Sequence, residues 1–166
     1  NLTNHSYWNL EKNKKKKIYN HELKLNSSKY LQVNKNLIPT GKLKNVKKTI
    51  YDFFNFENIG NKLEYFKNKK KIKGFDTTFV IKKNTRNLVG TLKNSNTNIK
   101  VDFFSNLPGV QFYSAQNLNY KKKLFPFQGI CLETQYYPDT PNKKNFPSTL
   151  IKPNKRYTCF TKIKID

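Results

Sequence analysis

The sequence predicts an all-β protein, an antiparallel sandwich or barrel folded as a single domain over residues 1–166. Three observations carry that prediction. Short apolar runs alternate with polar turns about every ten residues, the spacing of hairpin-connected strands. The chain is only 36% hydrophobic, yet 13 Phe and 10 Tyr supply large groups to bury. No heptad, solenoid repeat or linker interrupts the 166 residues, a length that supports one core.

In chain order, Asn1 to Leu10 is an amide-rich turn entering a strand, with Tyr7 and Trp8 as candidate core anchors. Lys12 to Lys17 holds too many like charges to be buried and is expected as a solvated turn. Leu23 and Leu25 alternate with charge as in a half-buried strand, which puts His21 at a strand end on the surface. Tyr30 to Val33 is a further strand, Asn34 to Asn36 a turn, and Pro39 and Gly41 punctuate a bend. Thr49 to Phe56 is strongly β-prone, whereas Ile59, Leu63 and Phe66 have helical spacing. Strands are then expected at Phe75–Ile81, Leu88–Leu92, Ile99–Phe104, Gly109–Tyr113, Gly129–Tyr137 and Arg156–Ile165. In the third of these, Ile99, Val101 and Phe103 share one face.

Composition narrows the partners. The net charge of +23 fits a polyanion-binding surface, but only Arg86 and Arg156 of the 33 basic residues are arginine. Lys, Asn, Ile, Phe and Tyr share A- and T-rich codons, and Ala115 is the single alanine. Codon drift explains the charge without a specific nucleic-acid partner. No apolar run is long enough to span a bilayer, and no signal peptide leads the chain, which predicts a cytoplasmic protein without a membrane partner. The lack of methionine and the abrupt start on a motif predict that the numbering begins inside a longer protein. Cys131 and Cys159 have no metal-ligand spacing and are expected as small buried thiols in strands.

Few residues could carry chemistry, because acids number only ten and histidines two. Glu133 shares a strand face with Cys131 and Gln135, while Ile130 and Leu132 fill the other. A carboxylate in so apolar a strand is partly desolvated, which raises its pKa and suits general-base work; a pairing with lysine is the structural alternative. Asp76 follows a glycine turn, where short carboxylates often hold backbone amides. Gln111, flanked by apolar residues, could satisfy a buried backbone group or grip a ligand hydroxyl. No phosphate loop, zinc ligand set or acyl-transfer triad can be assembled from sequence spacing. Amides, carboxylates and aromatics on β-scaffolding outline a carbohydrate site.

Ordered motifs sharpen this outline. Asn1-Leu2-Thr3-Asn4-His5-Ser6-Tyr7-Trp8-Asn9-Leu10 resembles the histidine motif of the aldose 1-epimerase (galactose mutarotase) family. Asn20-His21-Glu22-Leu23, Tyr30 to Val33 and Leu37 to Gly41 resemble its next strands. Gly74-Phe75-Asp76, Pro108 to Tyr113, Cys131 to Gln135 and Tyr137-Pro138-Asp139 with Pro141-Asn142 follow in the family's order.

The resemblance implies the C-terminal portion of a large antiparallel β-sandwich, left incomplete because the N-terminal half is absent. It implies interconversion of the α- and β-anomers of an aldohexose such as galactose or glucose, by acid/base-catalysed ring opening and reclosure. The family's proton donor falls on His5 and its base on Glu133; its sugar contacts fall on Ser6, Tyr7, Asp76 and Gln111. A monosaccharide is the implied partner, and neither a metal nor an organic cofactor is called for. The pattern departs at Thr77-Thr78, where His-Asn is usual, and at Ser114-Ala115-Gln116, where Thr-Gly-Asn is usual. Trp8 stands in place of a phenylalanine, and the family's Asn-Arg pair and second histidine have no counterpart in the chain. A non-catalytic sugar-binding sandwich, or an inactive remnant, is the alternative.

Overall fold

Strand alternation organises the molecule, a computed structural model that describes residues 1–69, 73–83, 86–121 and 123–166. Among the described residues the strands are β1 (His21–Leu25), β2 (Ser27–Val33), β3 (Pro39–Asn45), β4 (Glu57–Asn58), β5 (Asp76–Ile81), β6 (Leu88–Asn94), β7 (Ile99–Ser105), β8 (Gly109–Tyr113), β9 (Cys131–Gln135) and β10 (Thr161–Ile165). They form two antiparallel sheets, ordered β10-β7-β6-β1-β4 and β3-β2-β5-β8-β9. The predicted all-β architecture is therefore a two-sheet sandwich.

The main core lies between the sheets. Leu23, Leu25, Leu92, Val101 and Phe103 from the first sheet meet Phe79, Val110, Phe112 and Leu132 from the second. Phe53, Phe75 and Phe112 pack on one another, Phe75 stacking on Phe112 at 4.9 Å and Phe53 standing edge-on to both. Each such fully buried ring contributes roughly 1.5–3 kcal/mol. In β7, Val101 and Phe103 point inward and Ile99 packs at the margin, as alternation requires.

The predicted helix is present as α1 (Ile59–Leu63), prolonged by a 3₁₀ turn over Glu64–Phe66. Asn58 caps it by accepting from the Asn61 amide at 2.8 Å, and Ile59, Leu63 and Phe66 are its buried residues. The lysine-rich segment 12–17 is exposed, as its charge demands.

Several expectations are corrected. Thr49–Phe56 is not a strand: Thr49 and Asp52 amides bond to the Val46 and Thr49 carbonyls, and the Thr49 hydroxyl also bonds to Val46. These turns aim Phe53 at the core, so its aromatics are a plug rather than a ladder. Pro39 and Gly41 begin β3 instead of ending in a bend, with Gly41 at φ +89° beside a register shift in the β2–β3 pair. The last expected strand forms only over Thr161–Ile165, and Cys159 lies exposed before it. His21 is at a strand end but fully buried, since it is in phase with Leu23 and Leu25. Its Nε2 accepts the Leu10 amide at 2.8 Å.

Candidate active site

Register on the second sheet assembles the site. β5, β8 and β9 lie side by side, pairing Asp76 with Tyr113, Thr78 with Gln111, Gln111 with Glu133 and Tyr113 with Cys131. Side chains that alternate away from the core thus gather on one outward face: Asp76 and Thr78, Gln111 and Tyr113, Cys131, Glu133 and Gln135. Their inward neighbours Phe79, Phe112 and Leu132 anchor the strands in the core.

The first eight residues lie along the outer edge of β9. Asn1 Nδ2 donates to the Tyr136 carbonyl at 2.9 Å and its Oδ1 accepts the Tyr136 amide at 3.0 Å. The Thr3 hydroxyl donates to the Thr134 carbonyl at 2.9 Å. Trp8 and Ile130 exchange backbone hydrogen bonds of 2.8 and 2.9 Å, and the indole stands edge-on to Phe103. Gly129 permits the close approach, because a Cβ there would stand 3.0 Å from the Tyr7 side chain. The segment thereby covers a sheet edge and holds His5 and Tyr7 over the polar face.

His5 Nε2 lies 3.4 Å from Glu133 Oε1. The histidine side chain is half-exposed, whereas Glu133 is buried. Burial pushes the Glu133 carboxyl above the ordinary carboxylate range and nearby Asp76 adds to the rise, while His5 opposes both. His5 Nδ1 faces Cys131 Sγ at 3.5 Å. Burial, with Glu133 and Asp76 close by, drives the Cys131 thiol up to about 12. On the far side, Gln111 Nε2 donates to Asp76 Oδ1 at 2.6 Å, and its Oε1 accepts from the Thr78 hydroxyl. Tyr7 and Tyr113 stand edge to face at 6.4 Å, with the His5 ring 5.0 Å from Tyr7.

His5, Tyr7, Asp76, Gln111, Tyr113 and Glu133 of these groups line an open cleft of ≈ 470 Å³, within the range of small-molecule sites. Of the residues singled out from sequence, His5, Tyr7, Asp76, Gln111 and Glu133 line it together. Ser6 does not line it; its amide and hydroxyl are both bonded to Asn4 Oδ1. Tyr113, Asn117 and Pro138 also line the cleft and were not singled out, nor was Gln135 as a site residue. Tyr113 and Gln135 each stand two residues beyond a predicted site residue, so strand period alone points to them. The His5–Cys131 approach is invisible in linear spacing because β9 and the opening segment meet only in the fold.

Fold and site together define a β-sandwich with a polar, tyrosine-rimmed cleft that sets an imidazole against a desolvated carboxylate. The chain belongs to the aldose 1-epimerase family: the family model described as "Aldose 1-epimerase" matches residues 1–164. The galactose mutarotase of Sus scrofa is 33% identical over 168 residues, which cover 97% of this chain and 48% of that protein. The aldose 1-epimerase of Escherichia coli K12 is 27% identical over 170 residues, covering 97% of this chain and 49% of that one. Among solved structures, a GalM/aldose epimerase homologue from C. elegans superposes with a TM-score of 0.86 at 21% identity, over 99% of this chain and 50% of that chain. The galactose 1-epimerase of Lactobacillus acidophilus NCFM gives 0.69 at 19% identity, over 90% and 45%. The chain spans about half the length of the curated relatives it matches.

Proposed function

We propose that the protein of which this chain forms the site interconverts the α- and β-anomers of an aldohexose such as galactose or glucose. The approach of His5 Nε2 to Glu133 Oε1, 3.4 Å inside a cleft of hydroxyl-binding groups, carries the reading. Opening a hemiacetal requires one proton removed from the C1 hydroxyl and another delivered to the ring oxygen O5. Glu133, a stronger base for being buried, takes the first; His5, as imidazolium, delivers the second. The C1–O5 bond breaks, the aldehyde rotates about C1–C2, and reclosure runs the two transfers in reverse. Each group supplies roughly 10²–10⁴ in rate.

The other residues hold the ring. Asp76 is an acceptor and Gln111 keeps one amide hydrogen free after donating to it, a pair matched to vicinal hydroxyls. Tyr7 and Tyr113 offer aromatic faces to the C–H face of the sugar. Ser6 would reach a hydroxyl only by releasing Asn4. The relatives named galactose mutarotase and aldose 1-epimerase support the same chemistry. A cytoplasmic location is part of the proposal, supported by two free thiols; no helix of the described residues is long and apolar enough to cross a membrane.

Polarimetry on the intact protein tests this. His5→Ala and Glu133→Gln should each remove most mutarotation above the spontaneous rate. Normal activity in both would overturn the assignment. Galactose binding without turnover in the unaltered protein, read by calorimetry beside polarimetry, would instead establish a sugar-binding sandwich.

A further inference from the structure

We propose that His5, Cys131 and Glu133 form a binding site for a thiophilic divalent cation of the zinc class, and that filling it silences the site. The three residues come from separate parts of the chain, yet one ligand atom of each lies within 4.8 Å of the other two. Two ligands of a tetrahedral zinc, sulfur at about 2.3 Å and imidazole nitrogen at about 2.0–2.1 Å, stand about 3.5 Å apart. Cys131 Sγ and His5 Nδ1 are 3.5 Å apart, already a coordination edge. Glu133 shares the strand face of Cys131 and stands 3.4 Å from the other ring nitrogen. Because the imidazole is half-exposed, it is free to turn one nitrogen to the metal while the carboxylate closes the third position.

The surroundings suit such a site. β9 is bonded to β8 from Cys131 to Gln135, so two of the three ligands are fixed on a rigid ladder. A sulfur, an imidazole and one carboxylate select zinc-like ions over magnesium or calcium, which require oxygen sets. His5 and Glu133 line the open cleft in front of the buried Cys131, which leaves the fourth position to water, as in an exchangeable site rather than a closed structural one. On binding, the metal takes the place of the thiol proton, which leaves to solvent, and no electron changes hands. The metal occupies His5 and Glu133 together. Its inhibitory effect rests on the acid/base reading above, whereas the binding itself does not.

Cobalt and zinc titrations of the intact protein test the site. Cobalt should bind one to one with a thiolate-to-cobalt charge-transfer band in the near ultraviolet, and zinc should displace it. Cys131→Ser should erase the band and weaken zinc binding by at least about tenfold, while Cys159→Ser should leave both unchanged. Thermal melting verifies that Cys131→Ser is folded; if it is not, His5→Ala, altered at a half-exposed side chain, must weaken zinc binding likewise. Unchanged zinc affinity in a folded variant, or no binding by about 1 mM zinc, a threshold of about −4 kcal/mol, would overturn the site. Mutarotation should stop at the zinc concentration that fills the site. Zinc bound through Cys131 with an undiminished rate would leave the metal site standing and overturn both the silencing and the acid/base reading.

Discussion

Two histidine–carboxylate pairs, placed in different dielectric surroundings, divide the labour of the molecule. His5 faces Glu133 in an open cleft; His21 sits with Glu11 inside the sandwich, both nearly sealed from solvent. Burial raises Glu133, and nearby Asp76 adds to the rise while His5 opposes it. Burial would raise Glu11 too, but the Asn20 amide, which donates to Oε1 at 3.1 Å, and the charge of Lys16 outweigh it and hold that carboxyl low. His21 is the mirror case: burial drives it down to about 4, against the pull of Glu11 and the Ile18 carbonyl. One pair sets a desolvated carboxylate against a half-exposed imidazole, the condition for moving protons. The other is closed, with His21 Nε2 spent on the Leu10 amide, and it holds Leu10, and with it the opening segment, against β1.

The largest effect expected from this contrast is kinetic. Removing either cleft partner should cost roughly 10²–10⁴ in kcat without lowering the melting temperature. Removing the interior partner should do the reverse. His21→Ala strands the buried Leu10 amide, which costs about 1–3 kcal/mol before any cavity is counted. Melting should fall by roughly 2–4 °C per kcal/mol, with kcat retained in the folded fraction. If His21→Ala left stability intact, or removed activity without loss of stability, the division between the two pairs would be wrong.

Acid separates the pairs without mutation. His21 has a folded pKa lowered from 6.5 to about 4, so its contribution is whole above pH 6.5 and is lost as pH falls towards 4. That gap is worth about 3 kcal/mol, and Glu11, also lowered, adds a loss of the same sign at lower pH. Glu133 runs the other way. Its raised pKa favours the protonated form in the fold, so stability declines as pH rises through its folded pKa. Glu133→Gln should therefore melt higher than the unaltered protein at neutral pH, and lose that advantage below the ordinary carboxylate range. Activity should fall as Glu133 takes up its proton on the acid side. Melting curves and polarimetry across pH 3–8 would show the two limbs, and a single shared limb would contradict the assignment.

How far the sequence revealed these pairs follows from what alternation can and cannot encode. Period 2 placed Glu133 with Cys131 and opposite Leu132, and spacing found α1, because each depends on neighbours along one element. The same period places His21 with Leu23 and Leu25, and its burial was legible there, though a polar ring at a strand end was read as surface. The ordered motifs brought out five of the cleft's lining residues. Cross-strand register and the path of the opening segment were not legible, and these bring Cys131 against His5 and spend Ser6 on Asn4. Thr49–Phe56 failed for a related reason: β propensity is a preference for half-buried surfaces, and Phe53 meets it in the core without a ladder.

The smallest expected effect concerns the polar side of the cleft, around Thr78. Thr78 is buried, and its hydroxyl donates to Gln111 Oε1. That single donor decides which way the amide faces: with the oxygen engaged, Nε2 turns to Asp76 at 2.6 Å. Thr78→Val keeps the branched shape that a strand favours and deletes the donor. The amide is then free to flip, and Asp76 faces an oxygen in part of the population. A neutral hydrogen bond is worth about 1 kcal/mol, so KM for galactose should rise about fivefold. His5 and Glu133 lie across the cleft and make no bond to Thr78, so kcat should hold within about twofold. Gln111→Glu should be worse than Thr78→Val, because it sets a second carboxylate against Asp76. A fall in kcat with KM unchanged would mean that Gln111 acts on the reacting atoms rather than on the ring hydroxyls, and the contrast between a proton-moving side and a sugar-gripping side would have to be redrawn.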